Sequence, residues 1–334
     1  MEKVRLGLIG LGYVGKIHLI NCLRLQNAQL VAVADLSKKA LKMAKKLGVA
    51  ETYRDYRELL NNSDIDAVII ALPTYLHAES TKAAAEQRKH ILLEKPLARN
   101  VAEGKEVILT VKKYGVKLMV GHNARFRPAY QNLKKEIESG RLGEIQIAYA
   151  TNISSGPFLH RSVAGMPKPV PDWWWNKDLT GGGALIDLGS HMINLTRWYF
   201  GEVVDVKCYL GYRYNLDQED HAICILKFKE GQVAIITVGW FSQQTQIKIE
   251  VYGTVGHAIA SSKPPNRVIT AIQLLLRRTP GFYISYLNEV QHFVDSIQRD
   301  SQPQPSGEEA LRDLEVIENA YKNAVKLNDV GYKM

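Results

Sequence analysis

Three cysteines, Cys22, Cys208 and Cys224, are few for 334 residues, and none forms a CxxC pair. A disulfide framework and a structural zinc site are therefore not expected, and the three read as small buried residues. No apolar run approaches the roughly 18 residues needed to span a bilayer. There is no basic tail, zinc finger or RNP-like motif, so the net charge of +9 does not by itself indicate nucleic acid. Lysines and arginines are scattered along amphipathic segments such as "DLSKKALKMAKK". An anionic cofactor, an anionic substrate and an ordinary solvated surface share the account of that charge. The opening "MEKVRLGLIGLGYVGKIHLI" has spaced glycines and no small-residue cleavage site, so it reads as mature fold and the location as cytoplasmic.

The composition is that of a globular protein, with 46% hydrophobic and 23% charged residues. The length predicts two domains. Up to residue 122, strand-like and helix-like segments alternate: "KVRLGLIG", "QLVAVAD", "DAVIIALP", "HILLE" and "VKLMVGH" read as strands with helices between them. That order predicts a doubly wound parallel sheet of Rossmann type over 1–122. Ser37 is placed to cap the helix that follows the second strand. From 123 to 334 the pattern becomes α+β, with a large, mostly antiparallel sheet. Its strands are "GEIQIAYAT", "VVDVKCYLGY", "DHAICILKF", "QVAIITVGWF" and "IKIEVYG". A helix is expected from about Gly183 to Phe200, and two more close the chain.

Gly10, Gly12 and Gly15 stand in a G-x-G-x-x-G arrangement between a strand and a helix that begins at Tyr13 and Val14. The glycines serve a tight turn, close approach of a pyrophosphate and helix–strand packing. The helix N-terminus offers free N–H groups to phosphate. Asp35 lies about twenty residues further on, where a carboxylate accepts from the adenosine ribose. A carboxylate repels a 2′-phosphate, so NAD is expected, with NADP left open by nearby Lys38 and Lys39. Leu72, Pro73 and Thr74 follow a buried strand at the same edge. His77 reads either as a cofactor contact or as a partly exposed histidine at a helix start.

"EKP" ends the strand "HILLE" at that edge. Pro96 fixes the backbone and aims Lys95, which suits proton relay or hydrogen bonding to a developing alkoxide. Further on, "GGGALIDLGSH" sets Asp187 and His191 four residues apart on one helical face, behind three glycines. A histidine there is able to take a hydroxyl proton as hydride leaves the same carbon. A local i,i+4 pair serving helix stability alone would look the same.

With these motifs in this order, and "GHNARFRP" at Gly121–Pro128, the chain resembles the Gfo/Idh/MocA oxidoreductases across almost its whole length. The resemblance implies NAD(P) binding in the first domain, with Glu94, Lys95 and Asn123 near the cofactor. It implies Lys95, Asp187 and His191 as the catalytic set, and a homodimer or homotetramer built on one face of the second sheet. No metal, nucleic acid or membrane partner is implied. The substrate would be a sugar, polyol or nucleotide sugar, and an anionic one fits the basic charge slightly better. The loop 154–176, with His160, Arg161, Lys168 and Trp173–Trp175, should line the pocket. Trp173 offers a face for a sugar ring and Arg161 a charge for an anionic group, while at least two of the tryptophans read as packing residues. Two alternatives are an NAD-dependent glycoside hydrolase that retains its cofactor and a non-catalytic cofactor-binding regulator. The intact Lys95, Asp187 and His191 set argues against the regulator.

Overall fold

The computed structural model describes residues 2–159, 170–262 and 283–327. Two compact units emerge. The first takes the chain up to Asn123 and then Tyr283–Leu311; the second takes the described residues from Ala124 to Ser262 and from Arg312 onward.

The first unit carries six strands, β1 (Val4–Ile9), β2 (Ala28–Ala34), β3 (Glu51–Tyr53), β4 (Ala67–Ile70), β5 (His90–Glu94) and β6 (Leu118–Gly121). They form one parallel sheet in the order β3-β2-β1-β4-β5-β6. This is the doubly wound arrangement that the alternating pattern predicts, and it puts a crevice at the carboxyl edge, where strand order reverses. All four residues of β4 are buried, as a strand covered on both faces requires. Its apolar side chains join Leu93, Val107, Val111 and Val120 in the core. Local signals agree. Ser37 accepts from the Ala40 N–H at 3.3 Å, and Asn100 accepts from the Glu103 N–H at 2.9 Å, each capping the helix behind it. Gly115, at φ +66°, closes the helix Val101–Tyr114 in the left-handed region that suits glycine.

The second unit is built on β7 (Ile145–Ile153), β8 (Val203–Gly211), β9 (His221–Phe228), β10 (Val233–Gly239), β11 (Gln246–Gly253), β12 (His257–Ser262) and β13 (Ala324–Lys326). The order is β12-β11-β7-β10-β9-β8-β13, antiparallel except for the β7–β10 and β8–β13 pairs. Residues alternate inward and outward along β8 and β9. One face packs Ala150, Cys208, Leu226, Ile236 and Ile249 into a core, while the other leaves Tyr149, Tyr209, Ile223, Ile225 and Ile259 exposed.

Cys208 and Cys224, which sequence separation holds apart, are cross-strand partners with sulfurs 2.8 Å apart. Both are buried thiols, as is Cys22. The helix expected from Gly183 differs in kind: residues 185–189 form a π-turn, and the α-helix proper runs Ser190–Phe200. Such a wider turn is a feature often found at functional sites. Among the described residues, no helix is long and apolar enough to cross a membrane.

Candidate active site

In the first unit, the three glycines of the opening turn meet three different surroundings. Gly10 has φ +92°, and a Cβ there would lie 2.4 Å from the Ala71 carbonyl oxygen. A Cβ on Gly15 would lie 2.0 Å from the Gly10 carbonyl oxygen, so this position serves helix–strand packing. Gly12 has nothing within 4 Å of where its Cβ would be. The helix Tyr13–Cys22 begins directly after it with no side-chain cap and no acid in its first turn. Open space above the turn and uncapped N–H groups are what a pyrophosphate requires. Leu72 packs against Gly10, and Thr74 starts a short turn beyond Pro73, so the loop after β4 adjoins the glycine turn.

Asp35 follows β2 and is half-buried. Its Oδ2 accepts the Leu11 N–H at 2.6 Å and its Oδ1 the Ser37 N–H at 2.7 Å. The carboxylate thus braces the glycine turn, and a carboxylate has lone pairs to spare for a ribose hydroxyl. These residues fit an NAD dinucleotide.

His77 departs from the reading of a partly exposed histidine at a helix start. It is 1% exposed, with Nδ1 2.7 Å from the Pro96 carbonyl oxygen and Nε2 2.9 Å from that of Leu72. Burial holds its pKa below the usual imidazole value, against the two carbonyls that favour its charged form. It ties the loop after β4 to the Glu94–Pro96 turn. There the Lys95–Pro96 peptide is cis, Glu94 is buried, and Lys95 is half-buried. Asn123, after β6, is buried and donates from Nδ2 to Ser285 Oγ at 3.2 Å.

In the second unit, Asp187 lies in the π-turn and His191 in the first turn of the helix that follows, both half-buried. The Trp240 indole N–H donates to Asp187 Oδ2 at 3.2 Å. Trp240 is fully buried at the end of β10, and a Cβ on Gly156 would meet its ring at 2.2 Å. Glu219, buried ahead of β9, holds the glycine turn. It accepts the Gly183 N–H at 3.0 Å, the Leu185 N–H at 2.9 Å and the Tyr321 hydroxyl at 2.8 Å. Burial raises its pKa, against the donors that favour the carboxylate. Behind the helix, Asn194 accepts from Arg125 Nε at 2.7 Å and donates to Asp313, which also pairs with Arg197. Burial raises the Asp313 pKa, against the pull of both arginines.

Of the predicted pocket residues, Trp173 is half-buried on the turn Asp172–Trp175, its ring 5.5 Å from that of Trp174. Trp175 packs on Phe158 at 5.5 Å. His160, Arg161 and Lys168 lie outside the described residues. Sequence reasoning missed Glu219, Tyr321, Trp240 and Asn194. Asn194 alone carried a signal, three residues past His191 on one helical face.

The family described as "Oxidoreductase family, NAD-binding Rossmann fold" matches residues 4–122, and the GFO/IDH/MocA C-terminal domain matches 130–259. An uncharacterized oxidoreductase of Bacillus subtilis, YrbE, is 30% identical over 93% of this chain and 91% of its own. Myo-inositol 2-dehydrogenase of Thermotoga maritima is 29% identical over 98% and 99% of the two chains. The crystal structure of a probable dehydrogenase from the same organism superposes with a TM-score of 0.82 at 28% identity, covering 96% of this chain and 97% of that one.

Proposed function

The chain belongs to the GFO/IDH/MocA family of NAD-dependent oxidoreductases, and from that premise we propose that it oxidises a ring hydroxyl of a sugar, polyol or nucleotide sugar. The observation that carries this reading is the carboxyl edge of the first sheet. Gly12 follows β1 and Lys95 follows β5, with β4 alone between the two strands. An open dinucleotide cradle and a half-buried lysine therefore share one edge.

NAD, when bound, supplies the hydride acceptor at nicotinamide C4. His191 takes the hydroxyl proton as the C–H bond breaks, Lys95 hydrogen-bonds to the developing alkoxide, and Asp187 orients the imidazole or holds a neighbouring hydroxyl. The balance is an alcohol and NAD⁺ giving a ketone, NADH and a proton. Lys95, Asp187 and His191 are the catalytic set in this reading. Asp35 favours NAD over NADP. The near full-length similarity to a myo-inositol 2-dehydrogenase supports a cyclic polyol, and Trp173 is suited to stack on its ring. A cytoplasmic location suits an enzyme that draws on the NAD pool.

The exposed aromatic and branched side chains of the second sheet support a homodimer or homotetramer. Tyr149 is 42% exposed, Tyr209 41% and Ile259 57%, on the face of the sheet turned away from its core, where a second subunit would cover them.

The test mixes enzyme, NAD and a panel of inositols, sugars, sugar acids and nucleotide sugars, following NADH absorbance beside Lys95→Ala and His191→Ala. NADH growth with one class of polyol, lost in both variants, is the expected result. NAD binding with no NADH from any of them contradicts the reading.

A further inference from the structure

Beneath the Lys95 turn lies a cluster that the reaction scheme does not use. His18 is fully buried on the helix Tyr13–Cys22, and its Nε2 is 2.7 Å from Glu94 Oε1. Glu94 also accepts the Lys95 N–H on Oε2 at 3.3 Å. Glu289, on the helix Ile284–Gln298, is fully buried, and neither of its carboxyl oxygens has a hydrogen-bond partner. One ligand atom from each of the three lies within 4.8 Å of the others. The Tyr286 ring meets the His18 ring edge-to-face at 5.6 Å.

Two carboxylates this close and this buried are costly with both ionised, since like charges repel and burial strips away most of their hydration. The remedies open to the protein are a retained proton or a bound cation. Among the described residues, the elements packed most closely on the Glu289 helix are the helix Tyr13–Cys22, β1 and β5. Their ionisable groups are Tyr13, Lys16, His18, Cys22, Arg5, His90 and Glu94; the Tyr13 hydroxyl is paired with that of Tyr283, and Cys22 is a buried thiol. Arg5 is committed to Asp66, His90 accepts the Lys117 N–H, and Lys16 is partly exposed. His18 and Glu94 are the groups that share the cluster. Apart from His18, which Glu94 holds, no cation among these groups is set against Glu289, and the charge that bears on it is that of Glu94, which favours the proton.

We propose that His18, Glu94 and Glu289 form a buried proton-sharing site that positions the Glu94–Pro96 turn, and with it Lys95, for hydride transfer. Glu289 remains a neutral acid beside the His18–Glu94 pair. Glu94 is thereby left one geometry, with one oxygen on the imidazole and the other on the Lys95 N–H. Burial, then the nearby Glu94, pushes the Glu289 pKa well above the usual carboxyl value, in agreement with this arrangement. His18, Glu94 and Glu289 are positioning residues here. The role rests on Lys95 being catalytic, but the proton itself does not.

The experiment is infrared spectroscopy of the whole enzyme at neutral pH, joined to kinetics of Glu289→Gln and Glu289→Ala. A carbonyl-stretch component from a protonated buried carboxyl is expected in the wild type and missing from both variants, whatever Glu219 and Asp313 contribute to all three. Glu289→Gln, neutral and of the same shape, should keep kcat within about threefold. Glu289→Ala should lose about tenfold or more in kcat with KM for NAD little changed, because a small displacement of a catalytic group is costly. A crystal structure of Glu289→Ala should show the Glu94–Pro96 turn displaced. No protonated-carboxyl component missing from the variants, an undisplaced turn, equal loss in the two variants, or a stoichiometric metal released by Glu289→Gln would each overturn the proposal. Should Glu289→Ala not fold, the band and Glu289→Gln decide it. Failure of the dehydrogenase reading looks different: a wild type silent on every substrate, with the infrared band in place.

Discussion

Glu219 and Leu185 are joined by a 2.9 Å hydrogen bond from the Leu185 N–H to the carboxylate, and Gly183 donates to the same carboxylate at 3.0 Å. A residue 34 positions away thus fixes the turn from which Asp187 and His191 are presented. Glu219→Ala would leave buried N–H groups without an acceptor, at about 1–3 kcal/mol each. A clear drop in the melting temperature and at least a tenfold loss of kcat are expected. Tyr321→Phe removes one of the donors to Glu219 and should cost far less, about 1 kcal/mol. Thermal unfolding and steady-state kinetics of the two variants check this.

The glycine turn separates a binding role from a folding role. Gly12→Ala puts a methyl group into open space at φ −65°, so its melting temperature should match the wild type while NAD affinity falls at least tenfold. Gly15→Ala drives a methyl group against the Gly10 carbonyl oxygen and should lower stability by several kcal/mol. Calorimetry for NAD binding, beside unfolding curves, distinguishes them. Weakened folding in Gly12→Ala would contradict the assignment.

Much of this site was legible in the sequence because its determinants are local. The three glycines, Asp35 and the "EKP" turn each follow a strand within a few residues, and strand order in a parallel sheet brings such turns to one edge. Ser37 capped its helix as read, because capping is decided within four residues. What escaped was decided at long range. Trp240 reaches Asp187, and Glu219 reaches Gly183, through the pairing of distant strands. The strands β3 and β13 have three residues each, too short for alternation to register. The π-turn at Leu185–Gly189 has the same i,i+4 pattern as an α-helix and cannot be told from one by spacing. His77 looked exposed at a helix start because nothing local announces the two carbonyls that bury it.

Glu289 makes stability depend on pH in a defined direction. Its folded pKa is raised well above the ordinary value of 4.5, so below that pH both folded and unfolded chains hold the proton. Above it the unfolded chain releases the proton and the folded one keeps it. Stability therefore falls as pH rises, by up to about 1.4 kcal/mol per pH unit, until the folded group itself ionises. Glu289→Gln removes its share of this dependence, to which the raised pKa values of Glu219 and Asp313 add in the same direction. Its melting temperature should exceed that of the wild type at pH 8 and converge with it near pH 4.

The central claim is that His191 and Lys95 serve the chemical step and not the binding of NAD. It is tested most directly by one comparison: NADH formation from the best polyol of the panel, and NAD affinity by calorimetry, for the wild type, His191→Asn and Lys95→Met. The account predicts that kcat falls by at least a hundredfold in both variants, the order of a general acid–base contribution, while the dissociation constant for NAD stays within a fewfold. Turnover near the wild-type rate in either variant, or loss of activity that only follows loss of NAD binding, would contradict it.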